Sequence, residues 1–298
     1  MIGAEPAALE HRPAQAGDVV LQVRDLLLPR QDAFGVDLID VSLQVRSGEV
    51  VGIAGVSGNG QQELLRALSG EDTRAQPAMV QVTGQDVARL GPQQRRALGL
   101  HFVPEERLGR GAVPSMGLAH NLLLTRSDAV GAMGWLHLGH LKAQARAIIE
   151  RFGVKAGGAD APARSLSGGN LQKFIVGREI AAQPKLIIIA QPTWGVDVGA
   201  AAQIHAEILA LRDAGCAVLI VSEELDELFE LSDRLYVLAK GHLSPSVARA
   251  DATVQQVGEW MSGLWNADVQ QHLADMEQVL PSSEAAQANA LVKGPQHV

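Results

Sequence analysis

Two uninterrupted apolar runs, Leu186-Ile-Ile-Ile-Ala190 and Ala217-Val-Leu-Ile-Val221, limit most tightly what this chain can fold into. A strand with one solvated face alternates apolar and polar residues, whereas a run that is apolar at every position needs cover on both faces. Each run is five residues long, far short of the roughly 18–20 needed to cross a bilayer. Such runs belong at the centre of a parallel sheet flanked by helices. Both stop abruptly at polar residues, Gln191-Pro-Thr and Ser222-Glu-Glu. The C-terminal ends of strands in an open α/β sheet are where ligands bind.

The surrounding pattern agrees. Val19–Val23 and Leu38–Val45 read as strands, with Ile39, Val41, Leu43 and Val45 alternating with polar neighbours. Glu49–Ala54 is an apolar strand running into glycines. Leu141, Ala145, Ile148, Ile149 and Phe152 keep helical spacing across Leu138–Phe152, and Ala201–Ala214 and Glu224–Leu231 are further helices. Strand–helix alternation of this kind predicts an α/β fold with an open, mostly parallel sheet. Leu118–Ala182 reads mainly helical between two core strands, which predicts an inserted helical subdomain at about 113–182. Residues 1–18 carry Pro6 and Pro13 without periodicity and read as a linker. Residues 264–298 read as a partly disordered tail with one helical stretch, Gln270–Leu280. The compact part is therefore 19–263.

Composition removes several classes of function. With 47% hydrophobic and 19% charged residues the chain buries a sizeable core. Its 33 acidic against 25 basic side chains, a formal charge of −8, argue against nucleic acid as partner, which calls for clustered Lys and Arg. Aromatics at 3% leave no stacking platform for single strands. The single cysteine, Cys216, reads as structural, and the scattered histidines give no metal site. The start lacks the basic region and apolar run of a leader, which predicts a cytoplasmic protein that meets a membrane only through a partner.

Four segments carry chemistry. Gly55-Val-Ser-Gly58-Asn-Gly60-Gln61-Gln62 lies between an apolar strand and the helix Gln61–Leu68. Its small residues let backbone N–H groups turn inward toward an anion at a helix N-terminus. A phosphate loop requires Lys and then Ser or Thr after the last glycine, and here both positions are Gln. An ordinary strand-to-helix turn accounts for the glycines alone equally well, and the spacing does not match a dinucleotide fingerprint. Leu166-Ser167-Gly168-Gly169-Asn170-Leu171-Gln172-Lys173 heads another helix with a hydroxyl and two glycines, a compact anion site. The two polar strand ends, Ala190-Gln191-Pro192-Thr193-Trp194-Gly195-Val196-Asp197 and Ser222-Glu223-Glu224-Leu225, complete the set.

In this order the segments resemble the nucleotide-binding domain of an ABC transporter, over roughly 19–263. Together with Pro104-Glu-Glu-Arg107 and Ser222-Glu-Glu-Leu-Asp-Glu227, they resemble the second, C-terminal domain of the fused ATPase subunits of simple-sugar and nucleoside importers. The resemblance implies a P-loop NTPase (RecA-like), mostly parallel core, with an N-terminal antiparallel β subdomain and an inserted helical subdomain. In that family two domains sandwich two ATP molecules, the phosphate loop of one facing the Leu-Ser-Gly-Gly segment of the other. Met1-Ile-Gly3 resembles Met261-Ser-Gly263, as though the chain starts where a preceding domain ends.

What the resemblance implies residue by residue is uneven. Gly55, Ser57, Gly58, Asn59 and Gly60 match a nucleotide loop, but Gln61 stands for its Lys and Gln62 for its hydroxyl residue. Ala190 replaces the metal-binding Asp, Gln191 the Glu that polarises water, and Glu223 the His that meets the γ-phosphate. Glu105 or Pro104 stands where the family has a Gln sensing metal and water. By contrast Ser167, Gly168, Gly169, Asn170, Pro192 and Asp197 all fit. Losing a charge-assisted phosphate contact costs about 1.5–3 kcal/mol, and losing a general base costs about 10²–10⁴ in rate.

The implied protein is thus an ATP-binding subunit or half-subunit with a degenerate site of its own. It binds ATP weakly there and completes the ATP and Mg²⁺ site of a second domain with an intact loop. Integral permease subunits and, indirectly, a periplasmic or lipoprotein solute-binding component are further partners, on the cytoplasmic face of the inner membrane. The alternatives are a self-sufficient homodimeric ATPase using Glu105, Glu106 or Glu223 as base, and a non-catalytic scaffold. Phe34 is a candidate for stacking on adenine, and Arg107, Arg110 and His120 for facing membrane subunits.

Overall fold

The structure, a computed structural model, describes residues 15–126, 131–132 and 135–265. The expected helix Gln270–Leu280, most of the tail, and residues 1–14 of the expected linker lie outside them.

The chain opens with a long antiparallel pair, β1 (Val19–Leu28) and β2 (Leu38–Arg46). The first strand, expected over Val19–Val23, continues for five residues more. A bulge absorbs the break: Asp25 takes φ +47° and its N–H donates to Ser42 Oγ at 2.8 Å. Strand β3 (Val50–Ala54) leads into α1 (Gln61–Ser69), and β4 (Val80–Val82) and β5 (Gln85–Asp86) extend the first sheet in the order β2-β1-β4-β5. After α2 (Pro92–Ala97) and β6 (Leu100–Val103) come α3 (Leu118–Leu123), the small hairpin β7 (Gly131–Ala132) and β8 (Trp135–Leu136), α4 (Leu138–Arg151) and α5 (Gly168–Ala181). The remaining elements are β9 (Leu186–Ala190), α6 (Val198–Asp213), β10 (Ala217–Ser222), α7 (Leu225–Leu231), β11 (Arg234–Ala239), β12 (His242–Leu243), β13 (Val247–Ala248) and α8 (Val254–Met261).

The second sheet runs β12-β11-β3-β10-β9-β6, with β13 also on β11. Strands β3, β6, β9, β10 and β11 pair in parallel. The two apolar runs are its central neighbours β9 and β10, and their two faces feed different cores. Ile187, Ile189, Val218 and Ile220 pack with Phe152, Phe174 and Ile204 of the helical side. Leu186, Ile188, Leu219 and Val221 pack with α1 and the antiparallel sheet through Leu64, Leu68, Leu21 and Val23. Cover on both faces is why these strands stay apolar up to Ser222, the last residue of β10.

Register sets the site. Val218 to Ser222 pair with Val50 to Ala54, Val221 with Ala190, and Ile189 with Val103. The C-terminal ends of β3, β10, β9 and β6 therefore stand side by side, and the segments that follow them share one edge.

Two buried charged groups clamp this frame. Arg95 is fully buried and donates to the carbonyls of Ala67 and Leu68 at the end of α1 and of Leu90 and Ala88. Burial without a directly bonded carboxylate pulls its pKa down to about 10. Glu179 of α5 is equally buried and opposes that desolvation with Arg178, His101 and Arg96, which hold its carboxyl well below the ordinary range. Arg95→Met keeps the stem volume and leaves the α1 carbonyls without donors. The expected loss is about 2–4 kcal/mol of unfolding free energy, read as a lower urea midpoint with an unchanged slope.

Candidate functional site

The glycine loop leaves β3 at a buried Gly55 and reaches α1 through two left-handed glycines, Gly58 at φ +82° and Gly60 at φ +105°. Those conformations bend the backbone over the helix N-terminus, as an anion-binding loop requires. The loop is anchored from outside. Asn59 Oδ1 accepts the Lys240 N–H at 2.7 Å, and Asn59 O accepts that of Gly241 at 2.9 Å. Inside it lies the side chain of Gln61, whose Oε1 accepts the Asn59 N–H at 3.0 Å while its Nε2 donates to Val56 O at 2.7 Å.

Below the loop is a cleft of about 20 Å³ lined by Gly58, Gln61, Gln62, Glu105, Gln191 and Glu223 among others. All three positions expected to be degenerate catalytic residues thus meet in one place. Glu105 and not Pro104 faces it; Pro104 lines a separate cleft with Arg110 and Phe102. Burial, then the charges of Glu106 and Glu223, raise the Glu105 pKa. Neither Lys nor Arg lines the cleft. Glu106, the third candidate base, is engaged elsewhere: Arg110 donates to it at 2.9 Å, and against the effect of burial that bond and the Arg110 charge hold its carboxyl low.

Gln191 sits at φ +49°, and its Oε1 accepts from the Glu223 N–H at 3.3 Å and Ser222 Oγ at 3.2 Å. The side chain where the family resemblance places a base is therefore tied to the neighbouring strand end. Ser222 Oγ also lies 2.8 Å from Glu227 Oε2, and Thr193 Oγ1 donates to Glu227 Oε1 at 2.6 Å. Behind Glu227 stands His205, bridging it at 3.2 Å and Glu230 at 3.1 Å. Sequence reading missed this network, because its members come from β9, α6, β10 and α7.

The Ser-Gly-Gly segment is built differently. Ser167 caps α5, its Oγ accepting from the Asn170 N–H at 3.4 Å and Asn170 Nδ2 at 2.8 Å. Asn170 Oδ1 in turn accepts the Lys155 N–H. With its lone pairs used this way, the exposed Ser167 hydroxyl keeps its proton for an outside acceptor. Asp197 caps α6 by accepting the Ala200 N–H at 3.0 Å. None of Ser167 to Asn170 lines the glycine-loop cleft, so the two segments stand apart.

Arg107, a candidate for facing membrane subunits, is half-buried and makes its hydrogen bond within the chain. Its Nε donates to the buried Gln172 at 3.1 Å, and Gln172 donates to Pro192 O at 2.9 Å. The guanidinium lies against Gly168, where an added Cβ would come within 2.6 Å of Nη1. Arg107 thus joins the Pro104–Arg107 turn to the head of α5. Phe34 is 97% exposed in the turn before β2, and that turn is bound to α1 through Val36 N–H and Glu63. Cys216 is buried and its thiol is pushed up to about 12, which fits a structural role.

A family model described as ABC transporter matches residues 38–194. The chain belongs to the ABC transporter family. It is 39% identical over 267 residues to the guanosine import ATP-binding protein NupO of Bacillus subtilis, covering 88% of this chain and 52% of that protein. It is 38% identical to the nucleoside import ATP-binding protein NupA of Lactococcus lactis, over 85% of this chain and 50% of that one. With the glucose import ATP-binding protein TsgD13 of Haloferax volcanii it shares 40%, over 88% and 48%. The chain spans about half the length of the curated relatives it matches. A nucleotide-free ATP-binding cassette from an ABC transporter superposes with a TM-score of 0.64 at 22% identity, over 85% of this chain and 97% of that one. That likeness shows the ABC cassette fold, which the family resemblance implied.

In this cleft Ala190 carries no side-chain oxygen for a metal, and the Gln61 carboxamide lies inside the loop.

His205 supplies a test of the network. Burial disfavours its charged form, but hydrogen bonds and charge from Glu227 and Glu230 outweigh that and raise its pKa above the usual 6.5. A raised folded-state pKa gives stability that is complete below the unfolded value and lost as pH rises through the folded one. The thermal midpoint is expected to fall as pH rises above about 6.5, and His205→Gln to flatten that part of the profile.

Proposed function

We propose that this chain is an ATP-binding subunit or half-subunit of an importer for nucleosides or simple sugars. In this reading it acts by completing the ATP site of a second domain. The contrast between its two half-sites carries the proposal. The Ser167–Asn170 turn is capped, with a hydroxyl proton to give, whereas the chain's own loop holds a carboxamide and is flanked by Glu105 and Glu223. The NupO, NupA and TsgD13 names supply the solute classes, guanosine and other nucleosides or glucose.

The second domain is one whose phosphate loop carries Lys and then Ser or Thr, and it brings the Mg²⁺. Exposed Val56, Trp194 and Val198 stand at the strand-end edge, where a domain facing the loops would cover them. Phe34 is free to stack on adenine. No helix among the described residues is long and apolar enough to cross a membrane. Membrane attachment at the cytoplasmic face then falls to permease subunits, with a solute-binding component acting through them.

The purified chain alone is expected to show no Mg²⁺-dependent ATP turnover above background, and turnover to appear on pairing with a domain carrying an intact loop. In the pair, Ser167→Ala lowers kcat by about 10² through loss of one donor to the terminal phosphate. Vigorous turnover by the chain alone contradicts the proposal. If Glu105→Gln then abolished it, the raised pKa of Glu105 would identify the base of a self-sufficient enzyme.

A further inference from the structure

The glycine loop of this chain already contains a ligand, and it is the loop's own side chain. In a phosphate loop the inward backbone N–H groups are the anion's donors. Here the Asn59 N–H is taken by Gln61 Oε1 at 3.0 Å, and the same carboxamide closes the loop's other side by donating to Val56 O at 2.7 Å. The group is packed down on the loop floor: its Nε2 lies 2.5 Å from where a Cβ on Gly55 would stand. Asn59 stiffens the arrangement, since its Nδ2 shares Val56 O at 2.9 Å and its backbone and Oδ1 are fixed by Gly241 and Lys240. Gln61 also lines the cleft below the loop, together with Glu105 and Glu223.

We propose that Gln61 decides what this loop admits: its carboxamide is a latch that excludes phosphate, not a weakened contact to phosphate. The proposal rests on reading residues 55–62 as a nucleotide loop and deepens the reading of the chain's own site as degenerate. The two roles for Gln61 differ in sign. A side chain that holds phosphate loses affinity when it is removed. A side chain that occupies the phosphate position gains affinity when removed, because the incoming phosphate no longer has to displace two hydrogen bonds of about fivefold each. Glu105 and Glu223 repel the anion equally with and without the latch, so their effect cancels in the comparison.

The test titrates the full chain with Mg²⁺-ATP, and separately with pyrophosphate, by calorimetry. It compares the parent, Gln61→Ala, Gln61→Ser and Gln85→Ala. Alanine suits the first position of α1, and serine is too short to reach Val56 O, so each opens the loop independently. Gln85 is exposed on β5 in the other sheet, which makes it the control. Gln61→Ala and Gln61→Ser are expected to bind both probes about tenfold or more tighter than the parent, and Gln85→Ala to stay within about twofold. Equal or weaker binding by the two Gln61 variants, or no detectable binding in any variant, overturns the latch. Such a result leaves the half-subunit reading standing, because that reading is judged by turnover of the chain alone and in a pair.

Discussion

The parallel pairing of β10 with β3 on one side and β9 on the other brings every chemistry-bearing segment of this chain to one edge. Val218 to Ser222 lie level with Val50 to Ala54, and Val221 with Ala190, so the three strands end together. This register places Gly55, Gln191 and Glu223 beside one another. The antiparallel sheet, the helical segment and the buried Arg95 and Glu179 clusters all brace this arrangement from behind.

At that edge the chain is asymmetric. The loop after β3 has the backbone shape of an anion site, but its interior is closed by Gln61 and its walls are acidic. The head of α5 has the opposite character, with a capped serine, open glycines and the Arg107 guanidinium held against Gly168 by Gln172. One segment keeps the backbone geometry without the charge, and the other keeps a hydroxyl donor and open glycines. The proposed role as the complement of an intact partner domain rests on that contrast.

Much of this architecture was legible in the residues. The apolar runs announced the central strands, and helical spacing across Leu138–Phe152 announced α4 to within a residue. Other elements were hidden for physical reasons. β6 is only four residues long and carries His101, which is buried because Glu179, distant in sequence, pairs with it. The six-residue α3 is too short to display a period, and β1 runs five residues past the expected Val19–Val23, across the bulge at Asp25. The motif residues could be named individually, and their convergence in one cleft follows from strand order. The direction of Gln61, the inward turn of Arg107 and the Thr193–Glu227–His205 network depend on side-chain torsions and long-range packing that no spacing records.

The central claim is that one of this chain's half-sites works and the other is closed. The most direct measurement is the number of nucleotides trapped by vanadate on a purified complex of this chain with a domain carrying an intact phosphate loop. The account expects a single trapped nucleotide per pair, photo-crosslinked through its phosphates to the partner's loop and to the Ser167–Gly169 turn of this chain. Two trapped nucleotides per pair, one of them crosslinked at residues 55–62, would contradict it.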